Sequence, residues 1–399
     1  NHFVPELKRK IIQEAFWNDE LHQEIVDHQI DFIFHKPDCR ERCMMDIDKQ
    51  RALVPYEHEC HSLCKERGCG ELFVTDGIWK LGYPICLFKV PITVEGMTIN
   101  LPDCCPFEPE HGKLFCKKHA SELKDAGIPD NLLGYARQIQ KEVVATTMDC
   151  CNEDLTDEQH MALEDIFKRL NYQKKDSIAT VDMQGSRELV SKYPGLLDEN
   201  QEITLCRKDT GTSKRLRQWS RGYQFIISGG GHIEMFSPLY TSESPSQVFL
   251  FLVNYLAKKL EHVPVEKWKD VFIAYDNMCN LDRMKATKKD LPLPPPFNKM
   301  WSSVSKIIDS FHLRNHKGEN CKLLYNPEKL KVVHENYNTQ ACEQTFSWLS
   351  RFHRILSSVP RVHNHFFLHR MVKKRNKYNS YCYSQGKKPV LPNVNHFSN

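Results

Sequence analysis

The chain has 399 residues, a length that predicts two or three domains. Its 40% hydrophobic and 27% charged residues are an ordinary globular mixture, and a net charge of +4 does not by itself indicate a nucleic-acid binder. No stretch approaches the ~20 consecutive apolar residues that span a membrane, and no signal peptide is visible. Because the first residue is Asn1 rather than Met, we expect the natural N-terminus to lie upstream.

The N-terminal part of the chain is rich in cysteine and histidine. The 16 cysteines of the whole chain are too few for a disulfide scaffold of this length, so we expect a reducing compartment and zinc sites. Residues 1–70 predict helix followed by a Cys/His-rich stretch. A short apolar run, ELFVTD at 71–76, predicts a buried strand that ends in Asp76. A second strand is expected at 83–94.

The middle of the chain alternates between helix and strand patterns. From about 121 to 200 the sequence is polar and helical, with DEQHMALEDIFKRL the clearest amphipathic segment. Residues 223–236 predict two strands joined by a glycine-rich turn, which lacks the Lys-Ser/Thr of a phosphate-binding loop. Ser242 or Ser244 can cap the next helix, and Pro245 suits its first turn.

The C-terminal half predicts a further strand, VFIAYD at 271–276, a short strand near 306–311, and helices at 338–357 and 362–378. This order of elements predicts an α/β fold, in which an RNase H-like mixed-sheet core is interrupted by a cysteine-rich, zinc-binding and helical insertion. We therefore divide the chain into an N-terminal helical and Cys/His-rich segment (1–70), first core strands (71–100), a zinc-cluster and helical insertion (101–222), the remainder of the core (223–357) and a basic C-terminal tail (358–399).

Three acids stand where metal-dependent phosphoryl transfer would need them. Asp76 and Asp276 each end an apolar strand, and Glu343 lies in a predicted helix. This chemistry uses carboxylates that converge on two divalent cations about 3.5–4 Å apart, and Mg²⁺ prefers such oxygen ligands. Any one of the acids could instead be a turn or helix-capping residue. Together they are our candidate catalytic residues and ligands for two Mg²⁺ or Mn²⁺ ions.

Three Cys/His groups have spacings compatible with structural zinc, which needs four ligands. The first is Cys104, Cys105, Cys116 and His119, with Cys86 and His111 as further candidates; the second is Cys60, Cys64 and Cys69, with Cys39 or Cys43; the third is Cys279, His312, His316 and Cys321. In the third group, a buried histidine beside a buried cysteine is an equally good explanation. A catalytic thiol is not favoured there, because nothing marks Cys279 or Cys321 as activated.

The C-terminal segment from Gln344 to Asn399 contains ten Lys/Arg residues and no Asp or Glu. A charge run is often only a solvated face, but 56 residues without an acid favour contact with phosphates. A second basic patch lies at 207–221. The candidate DNA-binding residues are Arg351, Arg354, Arg370, Lys373, Lys374, Arg375, Arg215 and Arg217.

Five phrases resemble, in order, the motifs of Kyakuja-Dileera-Zisupton (KDZ) DNA transposases. They are VTDGIWKL at 74–81, SESPSQVFLFL at 242–252, FIAYDNMCNL at 272–281, IDSFHLRNHKGENC at 308–321 and YNTQACEQTFSWLSR at 337–351. The upstream cysteine clusters resemble the cysteine-rich modules associated with that family.

The resemblance implies a DDE-type transposase core with Asp76, Asp276 and Glu343 at the catalytic positions. It also implies double-stranded DNA, as transposon ends and target, as the partner, together with nuclear localisation and a homo-oligomeric assembly. One alternative is a catalytically inactive, domesticated transposase-derived module that binds DNA or protein. Another is a structure-selective nuclease, since one such fold hosts several phosphoryl chemistries.

Overall fold

The computed structural model describes residues 9–27, 37–92, 101, 104–105, 107–110, 113–131, 134, 220–240 and 242–389. Within these ranges no helix is both long and apolar enough to cross a bilayer. The amphipathic segment predicted at 157–170 and the basic residues Arg215 and Arg217 lie outside the described residues.

A five-stranded mixed sheet, in the order β3-β2-β1-β4-β5, forms the centre of the fold. Its strands are β1 (Leu72–Ile78), β2 (Tyr223–Ser228), β3 (Ile233–Pro238), β4 (Phe272–Tyr275) and β5 (Ser305–Ile307). The antiparallel pairs are β1–β2 and β2–β3, and the parallel pairs are β1–β4 and β4–β5. Every residue of β2 and β4 is buried, as expected for strands covered on both faces.

Helices surround the sheet. The α-helices are α1 (Arg9–Asp27), α2 (Pro37–Leu53), α3 (Ser62–Glu66), α4 (Lys117–Asp125), α5 (Pro245–Lys259), α6 (Met278–Leu281), α7 (Met300–Ser303), α8 (Ser310–Leu313), α9 (Glu319–Leu324), α10 (Lys331–Asn336), α11 (Ala341–Leu349), α12 (His353–Leu356) and α13 (Arg361–Ser384). Short 3₁₀ turns lie at Trp79–Leu81, Val265–Asp270, Lys285–Lys288, Phe297–Lys299, Pro327–Lys329 and Ser350–Phe352.

Alternate residues of the strands point to two separate hydrophobic cores. On one face Leu72 and Val74 pack with apolar residues of α1, α2, α11 and α13. On the other face Phe73, Ile226 and Ile273 pack against α5 and the turns around it. The two faces of β1 are therefore buried under different parts of the chain.

Most predicted elements are found close to their expected positions. The strands predicted at 71–76, 223–236, 271–276 and near 306–311 are present, and the hydroxyl of Ser244 caps α5 by accepting a hydrogen bond from the Gln247 backbone N–H. The strand predicted at 83–94 is wrong over the described residues 83–92, which contain only an isolated bridge. Their backbone groups bond instead to the cysteine-rich segment, for example Leu87 to Leu114.

Candidate active site and metal clusters

Asp76 and Asp276 lie side by side because of the strand register. The strands β1 and β4 are parallel neighbours in which Thr75 pairs with Tyr275, and an aspartate follows each of these residues. Both aspartates are half-buried. One oxygen of each lies within 4.8 Å of the other and of an oxygen of Glu243. Three ionised carboxylates at this spacing repel one another, so the arrangement favours a bound cation or a shared proton.

Glu243 is the carboxylate that sequence reasoning missed. It lies just before α5 and is fully buried. One of its oxygens accepts a hydrogen bond from Trp79 Nε1 at 3.0 Å, and the other accepts one from the Tyr275 hydroxyl at 3.1 Å. A Cβ atom at Gly77 would lie 2.5 Å from Glu243 Oε2, so this strand position must be glycine for the carboxylate to approach. The sequence signal that could have identified Glu243 is its place in the motif SESPSQVFLFL. It was missed because no strand ends at this position.

Glu343 lies at the start of α11, whose neighbouring Cys342 thiol donates a hydrogen bond to the Val74 carbonyl oxygen at 3.3 Å. This contact holds the helix against the strand that carries Asp76. The side chain of Glu343 is 46% exposed, and its Oε1 lies 3.7 Å from Nε2 of His312. Within the described residues, the carboxylates that converge are those of Asp76, Glu243 and Asp276, and Glu343 is not one of this set.

His312 connects Glu343 to the aspartates. Its Nδ1 lies 2.7 Å from the Asp309 carboxylate, which also caps α8. The hydrogen bond to Asp309 raises the pKa of His312 to about 9; burial opposes this, and the charges of Asp309, Asp276 and Asp76 add to it. The ring is therefore protonated at neutral pH. The structure places His312 here, while Cys279, His316 and Cys321 of the third Cys/His group form a separate set of potential ligands.

Trp79 and Arg221 lie next to Glu243, and two exposed arginines belong to the segment that packs on the Trp79–Leu81 turn. The Arg221 guanidinium lies 3.4 Å from the centre of the Trp79 ring, and that indole is the hydrogen-bond donor to Glu243. Helix α12 packs against the Trp79–Leu81 turn, and the side chains of Arg351 and Arg354, at and just before this helix, are exposed. An aromatic ring that carries a cation on its face and contacts an acidic cluster is a feature that suits a nucleic-acid substrate.

The first Cys/His group forms a compact set of four buried residues, and its fourth member is Cys86 rather than Cys104. The potential ligand atoms of Cys86, Cys105, Cys116 and His119 all lie within 4.8 Å of one another. His119 Nδ1 is 3.4 Å from the Cys116 sulfur and 3.5 Å from the Cys86 sulfur. Cys116 is the N-cap of α4, so the first helical turn carries His119 back to the cluster.

The other two groups also converge, each with one change of membership. In the second group His58 joins Cys60 and Cys69, and Cys64 is not part of this set. In the third group Cys279, His316 and Cys321 converge, with 3.6 Å between the Cys279 sulfur and His316 Nδ1. Among the described cysteines none forms a disulfide.

The basic residues of α13 make ion pairs within the protein. Arg370 is buried and bonds to Glu20, Glu24 and Asp27 of α1. Lys373 pairs with Glu24 and Asp27, and Lys374 with Glu20, while the Arg375 guanidinium lies 5.3 Å from the Trp348 ring centre. Contact of Arg370, Lys373 and Lys374 with DNA phosphates stays a prediction. It would require their ion pairs with the acids of α1 to break.

The fold and the site together define an α/β protein whose mixed sheet presents converging carboxylates suited to a divalent cation. Residues 221–376 match the model of the Kyakuja-Dileera-Zisupton transposase family, so the resemblance inferred from the motifs is confirmed for this part of the chain. The matched range contains Glu243, Asp276 and Glu343, whereas Asp76 joins them through the sheet. No curated protein and no solved structure matches the chain significantly.

Proposed function

We propose that the chain is the catalytic core of a DNA transposase that cleaves a phosphodiester at an element end and joins the freed 3′-hydroxyl to target DNA. The observation that carries the proposal is the convergence of Asp76, Asp276 and Glu243 within 4.8 Å, in a chain that matches a transposase family over residues 221–376. Glu343 is related to these acids through His312. Acids alone would not indicate this reaction, and a family match alone would not identify a site.

The proposed mechanism is phosphoryl transfer at a two-metal site. Two divalent cations would supply activation of the attacking hydroxyl and stabilisation of the leaving oxygen. Asp76 and Asp276 would hold them, with Glu243 as a buried third carboxylate and Glu343 as the exposed ligand nearest the solvent. Protonated His312 would keep Glu343 turned towards the site, because its other nitrogen is fixed by Asp309.

The proposal includes an RNase H-like core. The chain order of β1, then the β2–β3 hairpin, then α5, β4 and the late helix α11 is the order of elements expected from the sequence. The long segment between β1 and β2, which includes the first Cys/His cluster, would be the insertion. The site lies where the parallel pairing of β1 and β4 ends, at the carboxyl end of β4, a region where α/β sheets commonly place their ligands.

We propose that double-stranded DNA binds across the rim formed by Trp79, Arg221, Arg351 and Arg354. The exposed arginines would neutralise phosphates, and the indole ring would contact the nucleotide next to the cleaved bond. Such a substrate implies a nuclear protein. A synaptic homo-oligomer would bring two DNA ends together.

We also propose that Cys86, Cys105, Cys116 and His119 hold a structural zinc ion. The four residues are buried and their donor atoms have the mixed sulfur and nitrogen chemistry that zinc prefers. The local core around them is small, so a metal ion would stabilise a segment that has few apolar contacts of its own. Elemental analysis of the purified protein tests this directly.

The decisive experiment is metal-dependent nicking of supercoiled plasmid DNA, compared between the parent protein and Asp276→Asn. The isosteric substitution keeps the shape of the site and removes one negative charge. Glu319→Gln, an exposed acid at the start of α9, is the matched control and should behave as the parent. We expect Mn²⁺ or Mg²⁺ to support nicking by the parent and control, with a loss of at least 100-fold in Asp276→Asn.

Different products distinguish the alternatives. Joining of a labelled DNA end to the plasmid supports the transposase, whereas cleavage without joining indicates a structure-selective nuclease. If the folded parent neither cuts DNA nor binds Mn²⁺, the catalytic proposal is wrong and a domesticated binding module becomes the better description. Comparing DNA nicking by Glu243→Gln and Glu343→Gln then shows which of these two acids acts with Asp76 and Asp276 in binding the metal ions.

A further inference from the structure

The second Cys/His group is built around the start of β1 and the β2–β3 turn. His58 Nε2 lies 2.9 Å from the Cys69 sulfur and 3.3 Å from the Cys60 sulfur, and these two sulfurs are 3.5 Å apart. The buried thiol of Cys64 interacts with both of the other thiols. Ligands arranged tetrahedrally at the usual zinc distances are separated by about 3.5–3.8 Å. The measured separations are equal to or shorter than these, so His58, Cys60 and Cys69 can share one ion after a small movement of the histidine, and Cys64, beside both other thiols, would complete a Cys₃His set.

Glu234 of β3 faces the other nitrogen of His58. The Glu234 side chain is fully buried, and its Oε2 accepts hydrogen bonds from the Tyr255 hydroxyl and Lys259 Nζ at 3.2 and 3.1 Å. Its Oε1 has no hydrogen-bond partner among the residues that the structure describes, and lies 3.7 Å from His58 Nδ1. That separation is electrostatic contact rather than a hydrogen bond. A buried carboxylate oxygen without a hydrogen-bond partner favours a proton on the nitrogen that faces it, which is His58 Nδ1.

The backbone keeps the two residues together. The Tyr56 N–H donates to the Glu234 carbonyl oxygen at 2.7 Å, so the segment that leads into His58 runs along the edge of β3. The turn after β2 packs directly on the thiols: a Cβ atom at Gly230 would lie 3.1 Å from Cβ of both Cys64 and Cys69. The glycine-rich turn thus has two functions, closing the hairpin and allowing contact with the cluster.

We propose that His58, Cys60, Cys64 and Cys69 form a structural zinc site in which Glu234 orients His58. A histidine that binds a metal through Nε2 carries its proton on Nδ1, and a carboxylate at that nitrogen fixes the tautomer and the ring plane. Glu234 is the positioning residue, and it connects the site to α5 through Tyr255 and Lys259. This assignment does not depend on the proposed catalytic function.

His232 is the rival ligand. It stacks on His58 with 3.9 Å between ring centres, and its Nδ1 lies 3.9 Å from the Cys69 sulfur. Its Nε2 is 3.1 Å from the Ser380 hydroxyl, so the ring already has a partner on α13. His58 approaches the sulfurs more closely, and it alone faces Glu234.

The test measures zinc equivalents per chain by elemental analysis, and zinc release to a colorimetric chelator. His58→Ala should lose one equivalent relative to the parent, while His58→Cys and the matched stacking variant His232→Phe should keep it. Glu234→Gln should still bind this zinc equivalent. It should release the zinc at a chelator concentration 10- to 100-fold lower than the parent protein requires. Lys259→Met removes a partner of the other Glu234 oxygen and should release zinc as the parent does.

Two results would overturn the assignment. Loss of the equivalent in His232→Phe, with retention in His58→Ala, would make His232 the ligand. Equal release from Glu234→Gln and Lys259→Met would mean that the carboxylate acts only through general stability. If His58→Ala does not fold, the cobalt spectra of the parent and His58→Cys decide, since a fourth sulfur ligand must strengthen the sulfur-to-cobalt absorption band.

Discussion

Arg370 offers the sharpest test of how the C-terminal helix is used. Its side chain is 6% exposed and bonds to Glu20 and Glu24, whose side chains are 8% and 1% exposed. Burial raises the pKa of Glu24, but hydrogen bonds and charges from His369 and Lys373 more than offset this and hold it well below its usual range. The carboxylates are therefore ionised at neutral pH, and Arg370→Met removes a buried guanidinium that bonds to both of them.

Removing one partner of a buried ion pair costs about 3–5 kcal/mol. Because Lys373 still contacts Glu24 and Lys374 still contacts Glu20, we expect the lower end, about 3 kcal/mol, for Arg370→Met in urea unfolding at pH 7. Lys374→Met is the matched control: its side chain is 47% exposed, and such pairs contribute less than about 1 kcal/mol.

The same variants separate a structural role from DNA contact. The logarithm of DNA affinity falls linearly with the logarithm of the salt concentration. Removing a residue that neutralises one phosphate makes this slope shallower by about 0.9. We expect Arg354→Ala to lower this slope and folded Arg370→Met to keep it. An unfolding cost below about 1 kcal/mol for Arg370→Met, together with a reduced slope, would refute the structural role.

Three further predictions concern single side chains. Gly77→Ala should displace the Glu243 carboxylate and lower metal-dependent cleavage by about 100-fold, with Mn²⁺ titration as the direct measurement; parental activity would show that Glu243 is dispensable. Ser244→Ala should lower the free energy of unfolding by about 1 kcal/mol through loss of the α5 cap, and unchanged urea unfolding would contradict this. Burial lowers the pKa of His363, so the unfolded chain binds its proton first and stability falls as pH drops below about 6.5. His363→Phe should flatten that part of the pH–stability curve, and an unchanged slope would exclude this histidine as a cause.

The sequence by itself located the five strands of the sheet and two of the converging acids, and it limited the cap of α5 to Ser242 or Ser244, but it also predicted a strand at 83–94 that the described residues do not form. Asp76 and Asp276 were found because each follows an apolar run short enough to be a strand, and parallel strands in register bring such positions together. The sequence also indicated the family, since its motifs are local phrases, and located the regions that contain the Cys/His clusters.

Only the tertiary structure decided which residues complete these sites. Glu243, His58 and Cys86 reach their clusters from loops, where neither periodicity nor spacing constrains the direction of a side chain. The sequence also did not show which charged residues form pairs. Helix α13 carries basic residues and no acid, and the acids that neutralise Arg370 lie on α1, about 350 residues earlier in the chain. Local patterns report which face of an element is buried, whereas the partner of a charge or a metal ligand is fixed by packing between distant segments.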